Sequence, residues 1–251
     1  MERKEKLNLR GWRARIGLVV PSVNPVAEVE MHTLCPMGVT VHTARTLGER
    51  EEWTDEGIKK HWDKMIENLE KAALELSTAK VDAIAWVCTS GSFFGGPGWD
   101  KKLIKKMERI SETPATTTST CMVEALKEMK VKTAAVATPY PPLGSKLLKE
   151  FLEGNGVKVV NIEQHTFPTM GELFEAPPEM VYRLVKKVNR PEAEAIFISD
   201  TAFPTIEIIG DLESDLGKPV ISANTATFWG VLRKAGIRDS IKGYGRLLEK
   251  I

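Results

Sequence analysis

Cys88 follows an apolar run, Val81-Asp-Ala-Ile-Ala-Trp-Val87, and precedes Thr89, Ser90 and Gly91. A thiol acts as a nucleophile when it is a thiolate. Backbone N–H groups in a turn of this kind can point into a concavity, hold an anion and favour that form. The competing reading is a small buried hydrophobe, a common fate of free cysteine. Asp200 ends a second apolar run, Ala195-Ile-Phe-Ile198, inside Ser199-Asp-Thr201-Ala202. A carboxylate there costs free energy unless it is paired or open to a site. In a cleft it could serve as a general acid or base, with burial raising its pKa toward the useful range. The alternative is a helix cap or a loop aspartate. Two further strand-end segments, Pro21-Ser22-Val23-Asn24 and Thr138-Pro-Tyr140, offer Asn24 and Tyr140 as donors for a carboxylate or an oxyanion. Turn chemistry and simple packing account for the same residues.

Other candidates carry less. Cys121 stands near a helix start, but Val123, Leu126 and Met129 give that helix an apolar face and favour packing; Cys35 precedes Pro36 in a turn. Phe93, Phe94 and Trp99 could wall a pocket or fill a core. The glycines at 91, 95, 96 and 98 spell neither a dinucleotide fingerprint nor a phosphate loop. The four histidines, His32, His42, His61 and His165, have no zinc-motif spacing, and no cysteine pair reads CxxC, so no metal is called for.

Composition agrees with an ordinary enzyme-sized globular chain. There are 251 residues with 35 Lys plus Arg against 34 Asp plus Glu, for a net charge of +1. No polyanion binder is expected, because nucleic-acid affinity rests on clustered cations; Lys101-Lys102, Lys105-Lys106 and Lys186-Lys187 read as solvated helix faces. The apolar stretch Ile16 to Val20 ends at Pro21, too short for a signal core or a membrane span. Three cysteines suit a reducing compartment, so a cytoplasmic location is expected. The sequence leaves open whether like subunits assemble into a homo-oligomer.

The elements that position these residues alternate. Strands are expected at Arg15–Val20, Val39–Thr43, Val81–Val87, Ala115–Thr118, Ala134–Ala137, Val157–Ile162, Ala195–Ile198 and Pro219–Ile221. Helices are expected over Asp55–Leu76, Trp99–Ile110, Leu143–Leu152, Pro178–Val188 and Thr225–Ala235. The first carries its apolar stripe on Ile58, Trp62, Met65, Ile66, Leu69, Ala72, Ala73 and Leu76, with Thr54 as N-cap. Cys88 to Gly96 reads as a loop. Alternation of this kind implies βαβ units and largely parallel sheets.

The second half repeats the first. Gly17-Leu-Val-Val-Pro-Ser22 matches Ala135-Val-Ala-Thr-Pro-Tyr140, and Asp82-Ala-Ile-Ala-Trp-Val-Cys-Thr89 matches Glu194-Ala-Ile-Phe-Ile-Ser-Asp-Thr201. Thr113-Pro-Ala-Thr-Thr-Thr118 matches Lys218-Pro-Val-Ile-Ser-Ala223, in the same order. Cys88 and Asp200 then occupy equivalent strand ends. Because ligands bind outside the carboxyl ends of such strands, the two residues should face one cleft.

These blocks, with Phe228-Trp229 and Gly243-Tyr-Gly-Arg246, resemble the aspartate/glutamate racemase superfamily, in particular its branch of maleate cis-trans isomerases and arylmalonate decarboxylases. The resemblance runs from about residue 13 to the C-terminus. It implies two pseudo-symmetric α/β subdomains, each with a mainly parallel sheet flanked by helices, and an active site in the cleft between them. The subdomains would be 1–125 with 230–251, and 126–229. It also implies that no metal or organic cofactor is needed.

Cys88 falls where the family carries its first-half cysteine, which in the isomerases adds to the double bond. Thr89, Ser90 and Tyr140 fall where the decarboxylases hold the carboxylate and enediolate, and Asn24 matches a carboxylate ligand of the isomerases. Asp200 departs from the family pattern by standing at its second-half cysteine position. The expectation is therefore an isomerase of a small carboxylate, with Cys88 and Asp200 catalytic. Ser22, Asn24, Thr89, Ser90, Tyr140 and Thr201 would bind substrate. A decarboxylase, or an inactive carboxylate-binding protein, are the alternatives.

Overall fold

The structure, a computed structural model, describes residues 11–48 and 55–250. In chain order the elements are β1 (Ala14–Pro21), α1 (Val26–Thr33), β2 (Val39–Thr46), α2 (Asp55–Thr78), β3 (Ala83–Trp86), α3 (Thr89–Phe93), α4 (Trp99–Ser111), β4 (Ala115–Thr117) and α5 (Thr118–Glu128). The second half supplies β5 (Thr133–Thr138), α6 (Pro142–Gly154), β6 (Lys158–Gln164), α7 (Met170–Phe174), α8 (Pro178–Val188) and β7 (Ala195–Ile198). It continues with a 3₁₀ turn (Ile206–Ile208), α9 (Ile209–Leu216), β8 (Val220–Ser222), α10 (Ala223–Lys234) and α11 (Arg246–Glu249).

Two four-stranded parallel sheets have the same order, β2-β1-β3-β4 and β6-β5-β7-β8. This is the repeat read from the sequence, now seen as topology. The central strands are largely apolar because helices cover both faces of a parallel sheet; Ile16, Leu18, Val19 and Val20 of β1 and all four residues of β7 are fully buried. In α2 the expected stripe turns inward at Met65, Leu69, Ala72, Ala73 and Leu76, while Trp62 and Ile66 pack against the same cluster from its edge. The side chain of Ile58 and the proposed cap Thr54 lie outside the described residues.

The two halves share one core. Leu18, Ala85 and Phe93 from the first pack in a single cluster with Val136, Phe151 and Phe197 from the second. The helices that follow β4 and β8, α5 and α10, lie against each other, and α10 also reaches β3 and β4 of the other half. The expected subdomain boundaries at 125/126 and 229/230 fall inside these two helices. Among the described residues no helix is long and apolar enough to cross a membrane.

One expected loop proves helical. Thr89–Phe93 forms the short helix α3, with Cys88 as its extended N-cap residue (φ −144°, ψ 106°). Thr, Ser and Gly are weak helix formers, so local propensity argued for a loop. Tertiary contacts prevail: Phe93 is buried among aromatic side chains of the second half, and the Ser92 hydroxyl donates back to the Cys88 carbonyl at 2.6 Å. The helices α1 and α9 also arise where the sequence suggested none.

Candidate active site

Strands β1, β3, β5 and β7 deliver their following segments to the seam between the sheets. The contacts there cross from one half to the other. Asn24 Nδ2 donates to Thr201 Oγ1 (3.1 Å), and Thr201 Oγ1 donates to the Val87 carbonyl (3.3 Å). These bonds fasten the segment after β7 to the ends of β1 and β3. Around them Cys88, Thr89, Tyr140 and Asp200 come together.

Cys88 is 5% exposed. The thiol is pushed up to about 12, first by burial and also by the nearby Asp200 carboxylate; the Gly91 N–H and the Ser90 hydroxyl act against this by donating to sulfur. Space around the sulfur is tight, since a Cβ at Gly91 would lie 3.0 Å from Sγ and 2.7 Å from the Trp86 ring. Asp200 keeps part of its surface open and is also held above the usual carboxylate range, first by desolvation, against lowering hydrogen bonds from the Ala202 N–H and Tyr140.

Asp200 has φ +82°, unusual for a residue with a side chain. The Ala202 N–H donating to its Oδ1 at 2.8 Å closes a turn that Asp tolerates better than most residues. Tyr140 is buried, and desolvation with the charges of Asp200 and Cys88 drives its phenol well above its ordinary range.

Three acids thus share one desolvated volume. Each opposes ionisation of the others, so the site favours no more than one negative charge at a time. The Tyr140 hydroxyl lies against Thr89 and Asp200, yet neither it nor the Thr89 hydroxyl makes a well-directed hydrogen bond, although both are buried. An unpaired buried hydroxyl costs free energy, which an incoming carboxylate oxygen would recover.

Of the other residues read from the sequence, Thr201 is buried in the seam and Ser90 is half-buried beside the sulfur. Asn24 is buried, with its Oδ1 accepting from the Val26 and Ala27 N–H groups at the start of α1. Ser22 is half-buried, holds the Thr46 carbonyl through its backbone N–H, and makes no hydrogen bond to the others. Cys121 sits in α5 with its sulfur 3.1 Å from Thr116 Oγ1 and pressed on Gly230, away from this group.

Sequence reading missed Glu30, Asn224, Ser92 and Ser119. Ser92 and Ser119 form a buried pair (2.6 Å) whose hydroxyls hold the carbonyls of Cys88 and Thr89. Glu30 had a usable signal: it is an acid within the inward stripe Ala27, Met31, Leu34. A separate open groove of about 350 Å³, lined by residues including His165, Phe167, Glu172 and Met180, contains none of the acids above.

A sequence model of arylmalonate decarboxylases matches residues 16–248, nearly the whole chain. The chain belongs to the arylmalonate decarboxylase family. It is 25% identical to a maleate isomerase of Geobacillus stearothermophilus, over 93% of this chain and 96% of that protein. It is 27% identical to the arylmalonate decarboxylase of Bordetella bronchiseptica, over 94% and 96% respectively. Among solved structures it resembles a cysteine-to-serine variant of the Nocardia farcinica maleate cis-trans isomerase that carries a covalently bound succinylcysteine intermediate. The TM-score is 0.87 at 25% identity, covering 94% of this chain and 98% of that one. The chain is thus similar to both isomerases and decarboxylases.

Proposed function

We propose that this chain is a cofactor-independent isomerase of a small carboxylate or dicarboxylate, of the maleate cis-trans isomerase or racemase type, acting through Cys88. The observation that carries the reading is the Cys88–Asp200–Tyr140 cluster, in which the buried Tyr140 and Thr89 hydroxyls make no well-directed hydrogen bond. The covalent cysteine adduct of the Nocardia relative supports it.

The one-charge limit suggests the order of steps. In the free site the carboxylate of Asp200 is the easiest group to ionise, and Cys88 is a thiol. A bound dianion makes a charged Asp200 unfavourable, so the Cys88 proton passes to Asp200 as sulfur attacks. For maleate, a C–S bond forms at one alkene carbon and Asp200 delivers the proton to the other. The former double bond is now single and rotates. Asp200 then removes a proton from that carbon, the C–S bond breaks, and the trans diacid leaves with Cys88 as a thiol again. Thr89, Ser90 and Tyr140 hold the substrate carboxylate and the charge that builds on it, while Ser22, Asn24 and Thr201 frame the opposite side. No cofactor enters this sequence of steps, and the enzyme works in the cytoplasm.

A decarboxylase is the second reading, favoured by the Bordetella relative. There a malonate would lose carbon dioxide, the resulting enediolate would sit against Thr89, Ser90 and Tyr140, and Cys88 would protonate it. With the thiol in the first half and a carboxylate in the second, the proton would arrive from Cys88's face. Chiral analysis of the product therefore tests this arm.

Proton NMR in D₂O decides between the readings. Wild type and Cys88→Ala are incubated with maleate, aspartate, glutamate, hydantoins and aryl- or alkylmalonates. Conversion or α-deuteration without gas release, lost in Cys88→Ala, supports the isomerase, whereas carbon dioxide release identifies the decarboxylase. Binding without turnover in either protein would sink both readings in favour of a carboxylate-binding protein.

A further inference from the structure

Glu30 is buried at 4% exposure, and the hydrogen bonds to its carboxylate come from uncharged donors. Oε1 accepts from the backbone N–H groups of Thr205 (2.6 Å) and Ile206 (3.2 Å). Oε2 accepts from Asn224 Nδ2 (2.6 Å). The same Asn224 nitrogen also donates to the Thr201 carbonyl at 3.0 Å. A carboxylate from α1, in the first half, therefore grips the segment 201–206 of the second half at two points, directly at its far end and through Asn224 at its near end.

Asp200 immediately precedes that segment and sits at φ +82°. A left-handed backbone of this kind persists where surrounding contacts over-determine it. Asn24 adds a third hold from the first half, on the Thr201 hydroxyl. The segment's own secondary structure begins only with the 3₁₀ turn at Ile206, so these side chains do the fastening.

We infer that Glu30 is a positioning residue: by clamping Thr205, Ile206 and, through Asn224, Thr201 to the first half, it fixes the Asp200 carboxylate opposite the Cys88 thiol. The assignment rests on the Cys88–Asp200 pairing proposed above. Glu30 itself touches no reacting atom. Burial lifts its carboxyl toward 7, and Glu207, the acid facing it, adds to this. The proton-free form nonetheless matches the donors around it.

Glu30→Gln is the informative change, because it keeps volume and the acceptor for Thr205 and Ile206. It places an amide N–H₂ against the Asn224 nitrogen, and Asn224 cannot turn its oxygen toward Gln without losing the Thr201 carbonyl. The readout needs no substrate: the rate of Cys88 alkylation by iodoacetamide, followed on its peptide by mass spectrometry. Burial holds the thiol protonated and the Asp200 charge adds to this, so a displaced Asp200 speeds alkylation. Glu30→Gln should raise the rate about threefold. In an Asp200→Asn background the same change should leave the rate within about 1.5-fold.

An equal ratio in both backgrounds would mean that Glu30 only limits access to sulfur, and the inference fails; no effect in either also overturns it. If Glu30→Gln does not fold, Asn224→Ala runs through the same cycle with the same expected pattern. A substrate panel without turnover would count against the proposed function but leave this cycle fully readable.

Discussion

The segments after β3 and β7 start from equivalent places in two like sheets and end as opposites. After β3, Cys88 is extended and opens α3, whose Gly91 N–H turns back on the sulfur. After β7, Asp200 takes a left-handed backbone, turns one oxygen onto the Ala202 N–H, and is followed by an irregular stretch held from outside. The hydrogen bonds that hold the first segment come from within its own half, from Ser92 and Ser119, while Phe93 packs on Tyr140 and Phe151 of the second. The second is stabilised from the other half, by Asn24 and Glu30. Duplication supplies two facing positions; divergence in what fastens each lets one carry a nucleophile and the other an acid–base group whose place depends on the whole molecule.

The largest expected effect tests the Cys88 side. Cys88→Ala should lower turnover by roughly 10⁴-fold or more, as loss of a nucleophile does. Residual turnover within tenfold of wild type on the best substrate of the panel would remove covalent catalysis from the account. Asp200→Asn sharpens the comparison because two readouts should move in opposite directions. Turnover should fall by about 10²- to 10³-fold for loss of the acid–base group. Alkylation of Cys88 should quicken, because a charge that raises the thiol pKa is gone. If both fell together, the two residues would not share one field.

The next effect concerns the clamp across the halves. Glu30 has its carboxyl raised from 4.5 to about 7 in the folded chain. Folding therefore favours the protonated form, and its contribution to stability is complete below about pH 4.5 and is lost as pH rises to 7. The shift corresponds to a change on the order of 3 kcal/mol across that window. Denaturant unfolding of wild type and Glu30→Gln at pH 4.5 and 8 isolates it from the other carboxyls. The difference in stability between the two proteins should change by a few kcal/mol from one pH to the other. A difference independent of pH would show that Glu30 does not titrate in this window.

Much of this was legible beforehand. The β-strands are short apolar runs, and parallel sheets bury such runs on both faces, so their positions and their repeat could be read directly. The pairing of Cys88 with Asp200 followed from that repeat. The conformation of each segment did not. The helical turn at Thr89–Phe93 is decided by burial of Phe93 and by hydroxyl bonds to Ser119, twenty-seven residues further on. The left-handed Asp200 is followed by a segment that Asn24 and Glu30 hold at Thr201 and Thr205, across 177 and 175 residues of sequence. Helix α1 was hidden because its buried face includes an acid, Glu30, where a periodicity search looks for an apolar residue.

The smallest effect on function should come from a second buried thiol. Cys121, like Cys88, lies near the N-terminus of a helix, is buried, and is pushed up to about 12 with desolvation as the largest cause. Burial and helix position are therefore shared, and neither distinguishes a reactive thiol here. What differs is the neighbour: Cys121 faces Thr116 and the glycine of α10, with its sulfur so near Gly230 that an added Cβ would lie 2.3 Å away. Cys88 faces a carboxylate and the buried hydroxyls of Tyr140 and Thr89, neither of which makes a well-directed hydrogen bond. Cys121→Ala should leave turnover within about twofold and lower stability by roughly 1 kcal/mol, the scale of a small cavity beside a close helix contact. A loss of turnover as large as that of Cys88→Ala, with folding intact by denaturant melt, would move the chemistry to the α5–α10 contact and undo the comparison between the two strand ends.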